Sequence, residues 1–181
     1  MVLGINAVMF FIIGAAALYG NTTSLLADSL DNFGDALTYG LSLYAVSRSA
    51  SVKAKVALFK GGLIFLGAFV VAAQIIYKFF VPGVPVFEIM GIFSLLGLAA
   101  NSVCLFALWR HRKEDVNMSS VWECSRNDIA SNLSVFVAAG AVWFTNSGWP
   151  DVVVATGLVL LLIRSAIRVI SSAMAELRAA A

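Results

Sequence analysis

Six runs of mainly apolar residues fill this 181-residue chain, and short polar or Gly/Pro-bearing segments separate them. The pattern predicts helices near 3–20, 23–47, 54–79, 86–110, 117–145 and 149–176, each close to or above the ~20 residues that span a bilayer. The breaks carry turn chemistry: Gly20-Asn21-Thr22-Thr23, Ser47 to Lys55, Val81-Pro82-Gly83-Val84-Pro85, the charged run Arg110 to Asp115, and Asn146 to Pro150. The expected architecture is an all-α, six-transmembrane-helix bundle forming one transmembrane domain over residues 1–181, with both termini on the same side.

Composition supports that reading and removes others. Hydrophobic residues make up 61% and charged residues 12% of the chain, and the mean hydropathy is +0.93, well outside the range of soluble domains. The connections are too short to hold a soluble domain. A net charge of +2, with the basic residues in a few short clusters, leaves no surface for nucleic acid. Cys104 and Cys124 fall inside apolar segments and form no CxxC pair, so neither a disulfide framework nor a zinc knuckle is indicated. Met1 to Gly20 lacks a basic leading region and a clear small-residue cleavage site, and so reads as a retained helix.

Charge also orients the bundle. Arg48, Lys53, Lys55, Arg110, Arg112, Lys113 and Arg178 collect on one side, whereas the other holds only Lys78 near a helix end. Because cytoplasmic loops are enriched in Lys and Arg, both termini are expected in the cytoplasm, with the cell (inner) membrane as the expected location. Trp109, Trp143 and Trp149 fall near helix ends as interfacial anchors, while Lys60, Arg164 and Arg168 are expected to snorkel or to face other helices. Gly61, Gly62 and Gly67 permit close packing of the third helix.

The acids change the picture most. Of ten Asp and Glu residues, Asp28, Asp31, Asp35, Glu123 and Asp128 lie in only two of the expected spans. One charge at a helix centre costs ~2.5–3.5 kcal/mol on insertion scales, so three in one helix would cost on the order of 8–10 kcal/mol against lipid. They must face protein, water or a cation. Asp31 and Asp35 are spaced i, i+4, as are Cys124 and Asp128, so each pair shares one helical face. The two pairs enter the membrane from opposite sides and meet near its middle, giving three carboxylates and one thiol around one point. Such a set suits a tetrahedral divalent ion such as Zn²⁺. Without the ion the crowded acids cannot all stay ionised, so protons and metal compete for the same side chains. A bundle exposing them alternately to each side is a cation/proton antiporter. The remaining polar residues have simpler expectations: Asp28, three residues before Asp31, either faces the same cavity from its outer end or, the preferred reading, caps or bonds near the start of its helix, Arg126 pairs with Glu123 or another acid, and Asn32, Asn127 and Asn132 either support ligands or bridge helices.

At these residues the chain resembles the cation diffusion facilitator family. The block Leu25-Leu26-Ala27-Asp28-Ser29-Leu30-Asp31-Asn32-Phe33-Gly34-Asp35 is similar to the family's second-helix pattern, LLAD followed by a His/Asp-xxx-Asp pair. Cys124-Ser125-Arg126-Asn127-Asp128-Ile129-Ala130-Ser131-Asn132 is similar to the fifth-helix His/Asp-xxx-Asp pair and the small or polar residue one turn later, and Asn6 fits a family position in the first helix. The resemblance implies a six-helix, cation-efflux-type bundle that exports a divalent metal in exchange for protons and works as a homodimer. It places Asp31, Asp35, Cys124 and Asp128 as ligands and needs no prosthetic cofactor. Three departures stand out. Cys124 replaces the usual His or Asp, which favours softer ions such as Zn²⁺ or Cd²⁺, while the oxygen ligands also suit Mn²⁺, Fe²⁺ or Co²⁺. His111 is the single histidine, so the His-rich loop of many zinc members is missing, and the chain stops at Ala181 before the cytoplasmic C-terminal domain that many members carry. The competing readings are an intramembrane aspartyl protease built on two acids, against which stands the lack of a GxGD block, and a non-transporting membrane metal sensor or scaffold.

Overall fold

The computed structural model describes the backbone of residues 1–45, 49–109 and 116–179, and the side chains of the same ranges except 42, 45, 50, 108, 116–125 and 179. Six helices fill the described residues: α1 (Val2–Tyr19), α2 (Thr23–Ala45), α3 (Ala50–Phe80), α4 (Phe87–Trp109), α5 (Val116–Thr145) and α6 (Trp149–Ala179). Helix α3 begins four residues ahead of its expected start and runs for 31 residues. Arg48, Arg110, His111, Arg112 and Lys113, on which the orientation partly rests, lie outside the described residues, as do the side chains of Glu123 and Cys124.

Five of the helices are long and apolar enough to cross a membrane; α2, with its three aspartates, is the one that is not. Its position explains how it is tolerated. The helices associate as α3 with α6, α4 with α5 and α1 with α2, and α2 alone touches all five others. At 1.5 Å per residue its 23 residues reach about 34 Å, enough to cross the hydrocarbon region inside a sheath of apolar neighbours.

The sheath is inverted relative to a soluble protein. Small residues such as Ala16, Ala17, Ala27, Ala68, Ala138, Ala139 and Ala155 fill the interior, alongside Ile13, Leu25, Met90 and Val135. Large side chains face outward, with Phe106 83% and Phe144 85% exposed, a surface that only lipid would solvate. The aromatic anchors follow suit: Trp109 ends α4, Trp143 sits in the last turn of α5, and Trp149 opens α6 edge-on to Phe79 at 5.2 Å, all three exposed. Arg164 and Arg168 lie on the exposed face of α6. Two of the α3 glycines serve packing within the chain. A Cβ on Gly61 would press on Ile170 of α6 and one on Gly67 would meet Leu30 of α2, whereas Gly62 faces open space.

At one end of the bundle the α1–α2, α3–α4 and α5–α6 connections meet. Helix α1 closes with Asn21 in the left-handed region (φ 49°), and the Thr22 N–H reaches back to the Ala17 carbonyl at 3.0 Å, a Schellman-type ending in which Asn replaces the usual Gly. Asn146 (φ 49°) ends α5 in the same conformation. The Val86 N–H donates to the Gly20 carbonyl at 2.9 Å, and Gly148 approaches the Gly83 carbonyl so closely that a Cβ there would overlap it.

This loop end is fastened by Asp151, in the first turn of α6. Its carboxylate accepts from the Thr23 N–H (2.8 Å), the Ser24 N–H (2.9 Å), the Ser24 hydroxyl (2.6 Å), the Thr22 hydroxyl (2.7 Å) and the Lys78 ammonium (3.0 Å). Lys78, at the end of α3, also donates to the Asn21 carbonyl at 2.6 Å. The start of α2 is therefore capped by a carboxylate from α6, neutralised by an ammonium from α3, with the ion pair almost wholly buried. The capping role that the sequence suggested for Asp28 falls to Asp151, because Asp28 lies a full turn inside α2 and cannot reach its unpaired N–H groups.

A second fixed point joins α4 to α5. Asn132 is fully buried and donates from its amide to the Asp128 carbonyl one turn earlier at 2.9 Å, while its Oδ1 lies against Gly97 of α4. Asn32 does the same on α2, donating to the Asp28 carbonyl at 2.9 Å. Both amides thus bond along their own helices.

Two stability outcomes follow. Asp151→Ala or Lys78→Met leaves a buried charge unpaired and is expected to destabilise the protein by about 3–5 kcal/mol, with the double substitution costing far less than the sum; thermal unfolding in detergent measures both. Gly97→Ala forces a methyl group into Asn132 Oδ1 and is expected to cost about 1–3 kcal/mol. Partial recovery in Gly97→Ala/Asn132→Ala, read in the same unfolding experiment, would tie the loss to that contact.

Candidate functional site

The candidate site lies where α2 faces α5 and α6. On α2, Asp28, Asp31 and Asp35 occur at i, i+3 and i+7, and helical geometry stacks them along one face over about 10 Å. Helix α5 runs antiparallel to α2, so moving toward the loop end takes α2 backwards from Asp35 to Asp28 and α5 forwards from Asp128 to Ser131 and Asn132.

The acids divide into two levels. At the first, the side chains of Asp35 and Asp128 come together across α2 and α5, both buried at 9% and 8% exposure. At the second, nearer the loop end, Asp28 and Asp31 line a small cavity with Ser131 and three leucines of α6. Asp31 is half-buried and lies within electrostatic reach of Asp28, Asp35 and Asp128, which makes it the residue common to both levels. Asp28 is 2% exposed, and among the described residues its Oδ2 has no hydrogen-bond partner.

Sequence spacing grouped Asp31, Asp35, Cys124 and Asp128 around one point. The structure brings Asp35 and Asp128 together across α2 and α5 and holds Asp31 one turn toward the loop end. Cys124 lies on α5, but its side chain is outside the described residues. Among the described residues no three His, Cys, Asp or Glu side chains converge tightly enough to hold an ion. Asn6 is buried in α1 and donates to the Val2 carbonyl at 3.2 Å, while Asn127 and Arg126 point to the exposed side of α5.

Two residues matter to the site without having been singled out as such. Ser131 supplies a neutral oxygen at the second level; its i+3 spacing from Asp128 placed it on the acid-bearing face and was the available signal. Asp151 fixes the helix that carries the acids, and nothing in its surroundings at Pro150-Asp151-Val152 reveals a partner 127 residues away. A cavity of about 710 Å³ between α5 and α6 is lined by apolar and hydroxyl side chains, with no acid among its described lining residues, and so offers no carboxylate to an ion.

A buried, acid-lined seam inside a lipid-facing bundle is the arrangement of an ion pathway rather than of a packed core. No individual curated relative matches the chain. The family model described as the cation efflux transmembrane domain matches residues 1–178, and this integral, multi-pass membrane protein therefore belongs to the cation efflux family of divalent metal cation transporters.

Proposed function

We propose that the protein exports a divalent metal ion from the cytoplasm by alternating access, in exchange for protons, with Zn²⁺ as the favoured substrate and Asp31, Asp35, Cys124 and Asp128 as its ligands. The observation that carries this reading is the meeting of two buried acids, Asp35 and Asp128, across α2 and α5 inside the bundle. A metal ion entering between these carboxyl groups displaces the proton they share, because ligation requires the ionised form. Its release to the other side leaves a pair of acids that takes the proton back. Metal and proton thus use one set of side chains in turn, which is the minimum an antiporter requires.

Rotation of Asp31 toward the pair adds a third oxygen, and Cys124, one turn before Asp128 on α5, adds a sulfur. Four such donors match the tetrahedral preference of Zn²⁺, with Cd²⁺ next, and Mn²⁺, Fe²⁺ and Co²⁺ served by the oxygens alone. Lys53, Lys55 and Arg178 lie at the end of the bundle that carries the termini, which supports a cytoplasmic placement of that end and directs export toward the loop end. The family precedent supports a homodimer. A shared proton between two acids is also the signature of an aspartyl protease dyad, but membership in a transport family weighs against peptide hydrolysis.

Reconstituted into liposomes, the wild-type chain is expected to move Zn²⁺ and to shift the internal pH in the opposite sense. Asp35→Asn and Asp128→Asn should each reduce the flux by at least about 10- to 100-fold. Equal rates for wild type and both variants with Zn²⁺, Cd²⁺, Mn²⁺, Fe²⁺ and Co²⁺ would sink the proposal in favour of a sensor or scaffold, and acid-dependent cleavage of a membrane substrate would favour the protease. Cys124→Ser is expected to weaken Cd²⁺ binding more than Mn²⁺ binding, since only the soft ion gains from sulfur; calorimetry that finds equal losses removes Cys124 from the ligand set.

A further inference from the structure

We infer that the cavity formed by Asp28, Asp31 and Ser131 is a second cation-binding position, placed on the loop-end side of the Asp35–Asp128 pair. The inference rests on the transporter reading and extends it from one site to two along the same seam.

Three observations converge on this cavity. Its volume is about 20 Å³, room for a single water-sized particle and nothing larger. Asp28 is 2% exposed and lines the cavity, and among the described residues its Oδ2 is without a hydrogen-bond partner. A buried carboxylate oxygen left unsatisfied is costly, so the space beside it calls for an occupant. The donor set is two carboxylates and the Ser131 hydroxyl, and no basic side chain lines the wall. Water satisfies one orphaned oxygen, but two carboxylates in an apolar surround call for positive charge. Leu158, Leu161 and Leu162 of α6 supply the rest of the lining with Ala27, an apolar surround that strengthens the attraction between ion and carboxylates.

Position gives the site its use. Asp31 and Asp28 lie 4 and 7 residues before Asp35 on α2, or about 6 and 10 Å along the helix axis. Asp31 serves both levels, so an ion passes from the Asp35–Asp128 pair to the Asp28–Ser131 level by exchanging one pair of oxygens at a time. The second position holds the ion during this passage and, being made of oxygens only, holds it more weakly than a set containing sulfur holds a soft ion.

Cd²⁺ titration of the full chain in detergent tests the inference. Asp35→Asn is expected to retain residual binding, about 10- to 100-fold weaker than wild type. Asp28→Asn added to Asp35→Asn should abolish that residue, and Ser131→Ala in the same background should weaken it several-fold. The serine variant replaces a small neutral group and keeps the test open should the double aspartate variant fold poorly. Residual binding that is the same in Asp35→Asn and in both double variants, or no residual binding in Asp35→Asn at all, overturns the second position while wild-type binding still upholds the transporter. Absence of Cd²⁺, Zn²⁺ and Mn²⁺ binding to the wild type overturns both.

Discussion

The carboxylate of Asp151 is the constraint from which the rest of the bundle follows. A helix that starts inside an apolar surround leaves its first N–H groups without water, and α2 offers no acid of its own in its first turn. Asp151 reaches over from α6 to take two of those N–H groups and two hydroxyls, and Lys78 from α3 balances its charge. The negative charge also sits at the positive end of the α2 dipole. One side chain thereby fixes the axial position of α2 relative to α3 and α6. That position sets the height at which Asp28, Asp31 and Asp35 stand in the membrane.

Holding α2 in the middle dictates how its neighbours are built. Five apolar helices can face lipid without penalty, and the sixth, with three aspartates on one face, cannot. The solution is a hub, with α2 in contact with every other helix. Lipid supplies no hydrophobic drive for helices to associate, so their contacts depend on close van der Waals approach. Alanines and glycines accordingly line the interior, and Phe, Leu and Trp cover the outside. Asn32 and Asn132 perform matching local tasks on the two acid-bearing helices. Each ties down the carbonyl of an aspartate one turn away, at 2.9 Å, and stiffens the turn that presents the acid.

Length and hydropathy made five of the six helices legible from the chain itself, because a membrane span needs about 20 apolar residues and little else, whereas α2 was legible only as the run between two polar breaks. The polar breaks at Asn21 and Asn146 were legible for a related reason: Asn tolerates the left-handed conformation that each turn adopts. The acids were found by the same logic, since a carboxylate in an apolar run stands out whatever it does. What periodicity could not supply was the division of those acids into two levels. Spacing places Asp28, Asp31 and Asp35 on one face but carries no information about what α5 and α6 set opposite each. Asp151 was hidden for a different reason. It lies at the start of a span where acids are ordinary, and its partners, Thr22, Thr23, Ser24 and Lys78, are remote in sequence.

The arrangement of acids on α2 also bears on how an ion crosses a barrier that no single site removes. Moving one charge to the middle of a bilayer is costly, and one set of ligands placed there only exchanges a hydration barrier for a deep trap. Binding that is too tight is as obstructive to flux as no binding, so successive positions of moderate strength are the better solution. Carboxylates at i, i+3 and i+7 on a helix give about one acid per turn, so that each step is shorter than the span of the charge's own field in a low-dielectric medium. Asp35 and Asp128 face each other across α2 and α5 inside the apolar sheath, both buried. The sheath that makes charge on these acids expensive is also what strengthens their attraction for a cation that enters between them.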